Sequence, residues 1–243
     1  MDELAVLTLS GVSYAYHTNG ALRIGSELPQ LKYAADITAP SGRRHFRWSS
    51  STGLSAPDTS SVAATDLPSW EMLVDLKAKA VNSYLRPILT ENGIETYNVF
   101  MTPDGIAALK KDKDFLAAWQ HAQKRGEENP IFKGTQHGGK RGIHIDGLNI
   151  LEYRNVYNTA GMTENNKWGS SGTVDGQRVL LCGAQALAFA DIGTAKWTED
   201  TEDYENQWGI AVAKKYGFLK PSLLSIHSQT VEDFSVICCD TAV

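Results

Sequence analysis

Apolar residues recur at helical spacing most regularly between positions 69 and 92. Trp70, Leu73, Val74, Val81, Tyr84, Leu85 and Ile88 fall on one face there, with Lys77 the one polar interruption. This spacing predicts a helix over 69–92, capped by Asp66 or Ser69, with Pro68 in its first turn, a late kink at Pro87 and an end at Gly93. Leu4, Leu7 and Leu9 predict the last turns of another helix over 2–9, stopped by Gly11. Residues 96–101 read as a buried strand. Thr102-Pro103-Asp104 then starts a helix that carries Ile106 and Leu109. A further helix is expected over 114–124 with Phe115, Leu116 and Trp119 inward.

The second half is richer in strands. Residues 143–145 and 148–156 are two apolar runs joined by Asp146-Gly147, a hairpin turn signal. Residues 179–181 read as a strand and 185–190 as a short helix. Residues 206–215 fit either type, because Gly209 breaks the pattern. Residues 234–239 read as a strand buried on both faces. The stretches 12–66, 125–142 and 157–176 are polar connections, the first long for a compact domain. Helices and strands in this order make a mixed α+β chain without internal repeats.

Composition narrows the function. The chain has 243 residues, 42% hydrophobic and 21% charged, which suits one large domain or two small ones. A net charge of −5 lacks the basic surplus of a duplex-DNA binder. Three cysteines, Cys182, Cys238 and Cys239, form an odd set with two adjacent, which argues for buried thiols rather than a disulfide framework. The start, Met1-Asp2-Glu3-Leu4, has no basic stretch of the signal-peptide kind, and no apolar run reaches the ~18 residues of a membrane span.

Candidate chemistry is sparse. Gly134-Thr135-Gln136-His137-Gly138-Gly139-Lys140 has the spacing of a phosphate loop, but Arg141 stands where a magnesium-binding Ser or Thr belongs. His137, His144 and Asp146 fall short of a zinc set, having no further ligand nearby. Ser170-Ser171-Gly172 is not a nucleophile elbow. The acidic stretch Glu199, Asp200, Glu202, Asp203 and Glu205 lacks the oxygen pattern of a calcium loop. It reads as a solvated face, or as the partner of a basic patch on a neighbouring subunit. Arg43, Arg44, His45 and Arg47 form such a patch; Phe46 and Trp48 within it also fit single-strand stacking. No catalytic residue, metal or cofactor is expected. The runner-up reading is a metal- or nucleotide-dependent hydrolase that uses 134–146.

Six stretches carry a family resemblance. They are Val99-Phe100-Met101-Thr102-Pro103 with Ala108-Leu109-Lys110; Arg125-Gly126-Glu127-Glu128-Asn129-Pro130-Ile131-Phe132-Lys133-Gly134; Gly147-Leu148-Asn149-Ile150-Leu151-Glu152-Tyr153; Leu181-Cys182-Gly183-Ala184-Gln185-Ala186; Asp203-Tyr204-Glu205-Asn206-Gln207-Trp208-Gly209; and Asp233-Phe234 through Asp240-Thr241-Ala242. In this order they resemble the major capsid proteins of tailed phages, in the branch typified by a large podovirus coat protein. The resemblance implies a Hong Kong 97-type coat fold, mainly its axial domain with part of the peripheral domain. Residues 1–66 would hold the end of the spine helix and a peripheral connection, 67–195 the axial domain, and 196–243 the strands returning to the peripheral domain. An N-terminal arm, an extended loop and most of the spine helix would stand before Met1 in a full-length relative.

The implied function is a structural subunit that self-assembles into pentamers and hexamers of an icosahedral shell, within the virion and, during assembly, the host cytoplasm. Other copies of the chain are the expected partners, with scaffold, portal or decoration proteins as further candidates and at most non-specific contact with packaged DNA. Candidate subunit contacts are Arg43, Arg44, Arg47, Phe132, Lys140, Arg141 and Trp168. A coat domain kept as a binding module is the other alternative.

Overall fold

The computed structural model describes residues 2–25, 27, 37–90, 93–122, 136–137, 140–141, 143–202 and 206–243, with backbone alone at 118–122, 136–137 and 140–141. Its helices are α1 (Asp2–Ser10), α2 (Trp70–Asn82), α3 (Pro103–Lys111) and α4 (Lys113–Ala122). Its strands begin with β1 (His45–Ser49), β2 (Gly53–Ser55), β3 (Ile88–Leu89), β4 (Glu95–Met101), β5 (Gln136–His137), β6 (Lys140–Arg141) and β7 (Ile143–Ile145). They continue with β8 (Leu148–Glu152), β9 (Gly176–Cys182), β10 (Ala188–Glu202), β11 (Gln207–Leu219), β12 (Ser222–Leu224), β13 (Val231–Asp233) and β14 (Val236–Ala242).

One mixed sheet runs β2-β1-β14-β9-β4-β8-β7, with β3 added against β4. The β1/β14 and β4/β8 pairs are parallel and the others antiparallel. Alternation along the strands divides the core. Val99, Met101, Val179, Leu181, Ile237 and Cys239 meet Met72, Leu73, Leu76 and Ala80 of α2 and Ile106, Leu109 and Phe115 of α3 and α4. Leu180, Cys182, Val236 and Cys238 meet Val6 and Leu9 of α1, with Phe100 and Tyr153 beside them. Because both faces are covered, every residue of β9 and β14 is buried and neither strand alternates in polarity. Cys238 and Cys239 therefore enter different cores, as neighbours on a strand must.

Local chemistry explains the elements that match expectation. Thr102 caps α3 by accepting from Gly105 N–H, with Pro103 in the first turn. Asp146 and Gly147 both take positive φ (48° and 73°) and close the β7–β8 hairpin. Gly11 ends α1 with φ +67°, where an added Cβ would strike Pro40.

Several expectations fail. The helix expected over 69–92 stops at Asn82. Tyr84 swings to φ 54°, its N–H bonds Val81 O at 3.0 Å, and Leu85 N–H bonds Ala80 O at 2.9 Å. That is a Schellman closure. Pro87 then disfavours helical geometry at Arg86, and Ile88–Leu89 pair with Thr96 and Glu95 instead of kinking onward. Ser69 caps the helix, while the Asp66 carboxylate accepts from Ser50 and Ala63 N–H. The buried face is Met72, Leu73, Leu76 and Ala80, and Val74 and Val81 face water. The helix expected over 185–190 does not form either: Gln185 has φ 62°, and Ala188 opens a 15-residue strand. Residues 206–215, open between two types, fall in strand β11 from Gln207 onward. Helix α4 begins as expected with Phe115 buried, whereas Leu116 is exposed; the Trp119 side chain lies outside the described residues.

Candidate assembly surface

The basic cluster is largely stitched into its own chain. Arg44 is buried, with Nη2 donating to Ser83 O at 2.8 Å and lying 3.1 Å from a Glu232 carboxylate oxygen. Burial lowers its pKa from the usual arginine value, against the opposing pull of Glu232 and Asp233. His45 Nε2 lies 2.8 Å from Asp240 Oδ2. Arg47 donates to Ser55 Oγ at 3.2 Å and to the Ser61 carbonyl. Arg43 keeps its side chain in solvent, 67% exposed and 3.6 Å from Glu232. Within the chain, Glu232 answers Arg43 and Arg44, and Asp240 answers His45. Trp48 is buried under the sheet and offers no stacking platform. The polar gap that ion pairing fills here is internal, and sequence distance (some 190 positions) hid the partners.

Trp168 also turns inward. It is 6% exposed and packs with Leu7, Val62, Tyr157 and Ala242. Its ring lies so close over Gly176 that no Cβ fits there. The residue anchors the 157–176 connection to its own core rather than presenting a ring to a neighbour. Lys140 and Arg141 form β6, paired with β5, and their side chains lie outside the described residues, as does Phe132.

The region of the hydrolase reading is occupied structurally. Asp146 pairs with Lys77 at 2.7 Å, and His144 Nδ1 lies 2.5 Å from Asn149 Oδ1. Among the described residues no group of three or more His, Cys, Asp and Glu stands together as a metal site. Residues 134, 135, 138 and 139 of the glycine-rich loop lie outside the described residues. All three cysteines are free and buried, and burial pushes the Cys238 thiol up to about 12 and raises those of Cys182 and Cys239. Such thiols are poor nucleophiles. A cleft of about 700 Å3 opens beside the start of α3, between Thr102, Asp104 and Lys111 on one side and Arg154, Asn158 and Asp175 on the other. Its charges are mixed in sign.

What the residue-by-residue reading missed is a projecting ribbon, β10 with β11, that leaves Trp197 and Trp208 in solvent. The signal for it is present: Trp208, Ile210 and Val212 alternate with Gly209, Ala211 and Ala213 at the period of two that marks a strand.

Residues 5–243 match the family model described as phage capsid protein. The chain belongs to that family. A phage capsid relative, the major capsid protein of Pseudomonas phage KPP25, is 50% identical over 240 residues, 98% of this chain and 62% of that protein. Among solved structures, the capsid of Ralstonia phage GP4 superposes with a TM-score of 0.70 at 24% identity, covering 100% of this chain and 63% of that one. The cyanophage Pam1 capsid gives 0.64 at 18% identity, covering 99% and 64%. The fold is therefore the α+β Hong Kong 97-type coat fold expected from the six stretches. The chain spans about three fifths of the length of these phage capsid relatives.

Proposed function

We propose that this chain is a structural subunit of a tailed-phage icosahedral shell, acting by repeated burial of subunit surfaces rather than by catalysis. The observation that carries the reading is 50% identity to a major capsid protein across 98% of this chain. The fold supports the same role, because a rigid two-faced sheet gives each copy a fixed shape from which symmetric contacts repeat. On this reading residues 67–195 gather near the capsomer axis, 1–66 and 196–243 lie toward the periphery, and the chain resides in the virion after assembling in the host cytoplasm. Other copies of itself are its partners; scaffold, portal and decoration proteins are candidates, and contact with packaged DNA is at most non-specific. Arg43, with its open guanidinium, is the residue of the basic cluster best placed for a neighbour. Lys140, Arg141 and Phe132 are proposed as axial contacts.

Electron microscopy of the purified chain tests the proposal. Rings of five or six copies, or closed shells, are the expected result. Uniform single particles at every concentration reject self-assembly by this chain.

A further inference from the structure

β10 and β11, of 15 and 13 residues, form a two-stranded ribbon that pairs with no other strand among the described residues. Cross-strand register sorts its side chains. Phe189 beside Phe218, Asp191 beside Tyr216, Trp197 beside Val212, Glu199 beside Ile210 and Thr201 beside Trp208 share one face. Between Ile192 and Lys196, β10 advances four positions while β11 advances two, so the alternation stays in phase. The opposite face carries Ala188 beside Leu219, Ala190 beside Gly217, Ile192 beside Lys215, Lys196 beside Ala213, Thr198 beside Ala211, Asp200 beside Gly209 and Glu202 beside Gln207. Nearly all the large rings of the ribbon are thus on one side. Phe189 and Tyr216 pack on Phe218 with ring centroids 5.2 and 5.7 Å away, and Lys214 pairs with Asp191 at 2.8 Å on the same side.

This face is wet. Every residue of β10 is exposed, and β11 is exposed except at Tyr216 and Phe218. Trp208 is 71% and Trp197 58% accessible. With ~150–250 Å2 of surface per ring, the open apolar area on this face is on the order of 600–700 Å2, more than most monomers leave in water. One side of a standard interface is ~800 Å2. A two-stranded ribbon is also only marginally stable on its own, and here α1 lies against β11.

We propose that this aromatic face packs against the same face of a second copy of the chain, the two ribbons stacked antiparallel. The inference rests on the shell-subunit reading, which requires copies to touch. Charge favours this occupant. On the aromatic face Glu199 lies toward the tip of the ribbon and Lys214, which also pairs with Asp191, lies in its middle; Lys196, Asp200, Glu202 and Lys215 are on the other face. Antiparallel stacking about a two-fold at the level of Val212 lays β10 over β10 and brings Glu199 of one copy level with Lys214 of the other, one strand across, in both directions, as a self-complementary contact demands. Face-to-face sheets sit ~10 Å apart, a gap that two layers of side chains fill. Adding a strand at the ribbon edge would leave the rings in water, so stacking is the better cover.

Sedimentation velocity over a wide concentration range tests this on the full chain. Trp197→Ser/Trp208→Ser is compared with Val74→Ser/Leu89→Ser, a pair of exposed apolar residues off the ribbon. Protection of the three buried cysteines from thiol reagent reports an intact fold in each. The ribbon pair is expected to weaken self-association at least ~100-fold and the control pair hardly at all. Glu199→Lys alone is expected to weaken association, and Glu199→Lys/Lys214→Glu to restore it. If the ribbon pair associates as the native chain does, the ribbon contact is wrong while the shell reading stands. A native chain that stays monomeric throughout overturns both. Loss with the tryptophan pair but no rescue by the charge swap overturns the antiparallel ribbon pairing.

Discussion

Arg178 and Asp240 face each other across the β9–β14 ladder, with Nε donating to Oδ1 at 2.7 Å and Nη2 to Oδ2 at 3.2 Å. Asp240 has no exposed surface, and the remaining Arg178 amine donates to Ser10 O at the end of α1. His45 of β1 closes the other side of the carboxylate. Positions 10, 45, 178 and 240 are thereby held at one point, joining both ends of the chain to the sheet. Removing one partner of such a pair leaves a buried charge uncompensated, which costs far more than the pair itself contributes. Asp240→Asn is expected to lower unfolding free energy by about 3–5 kcal/mol. Arg178→Met/Asp240→Leu should lose less than that single change. Urea unfolding of the cycle decides; equal loss in single and double would mean that Arg178 is not left stranded.

The same pair sets an acid limit. Burial pushes the Asp240 pKa up, but Arg178 and the His45 hydrogen bond outweigh it and hold the carboxyl below its ordinary 3.8. Its folded pKa is depressed, so its contribution to stability is present above the unfolded value and is lost as pH falls through the folded one. The urea midpoint should therefore fall with acid from about pH 4 downward, and Asp240→Asn should flatten that limb. Midpoints measured from pH 7 to 2 check it. An identical acid limb in the variant would assign the loss to other carboxylates.

Gly176 exists for the Trp168 ring. A Cβ there overlaps the indole, so Gly176→Ala is expected to cost about 1–3 kcal/mol by overpacking. Trp168→Ala should cost about 3–5 kcal/mol by the cavity it leaves. In the double variant the new methyl enters vacated space, so the combined loss should be less than the sum. Thermal unfolding of the three proteins measures the coupling.

The thiols of Cys182, Cys238 and Cys239 are buried and shifted upward by that burial. A chromogenic disulfide reagent at pH 8 should find no reactive thiol in the native chain and three after denaturant. Rapid reaction of any one in the native state would show that its sheet face opens readily.

Some of this structure is written locally. Thr102-Pro103-Asp104 carries its own cap and first turn, and Asp146-Gly147 carries the positive φ angles its hairpin needs, so both are legible in short windows. The coat fold is legible for a different reason: six stretches in order preserve the spacing of one family's elements. The internal ion pairs are not, since Arg44 with Glu232 and Arg178 with Asp240 join residues far apart in the chain.

The end of α2 was beyond a pattern reading, because helical spacing continues through Leu85 and Ile88 and only the chance to pair with Thr96 and Glu95 turns them into a strand. Which stripe of α2 is buried was equally open: Val74 and Val81 are as apolar as Leu73 and Ala80, and the position of the sheet chose between them. Trp168 looks like a loop residue by its neighbours and becomes core because Leu7, Val62 and Ala242 arrive from three other parts of the chain. By itself, then, the sequence determined the caps, the turns, the α+β class and the family, all of which depend on residues close together or on their order. Tertiary structure alone decided which charges are neutralised within the chain and which rings stay in water. Burial is a property of what comes to lie above a residue, and no local pattern contains that.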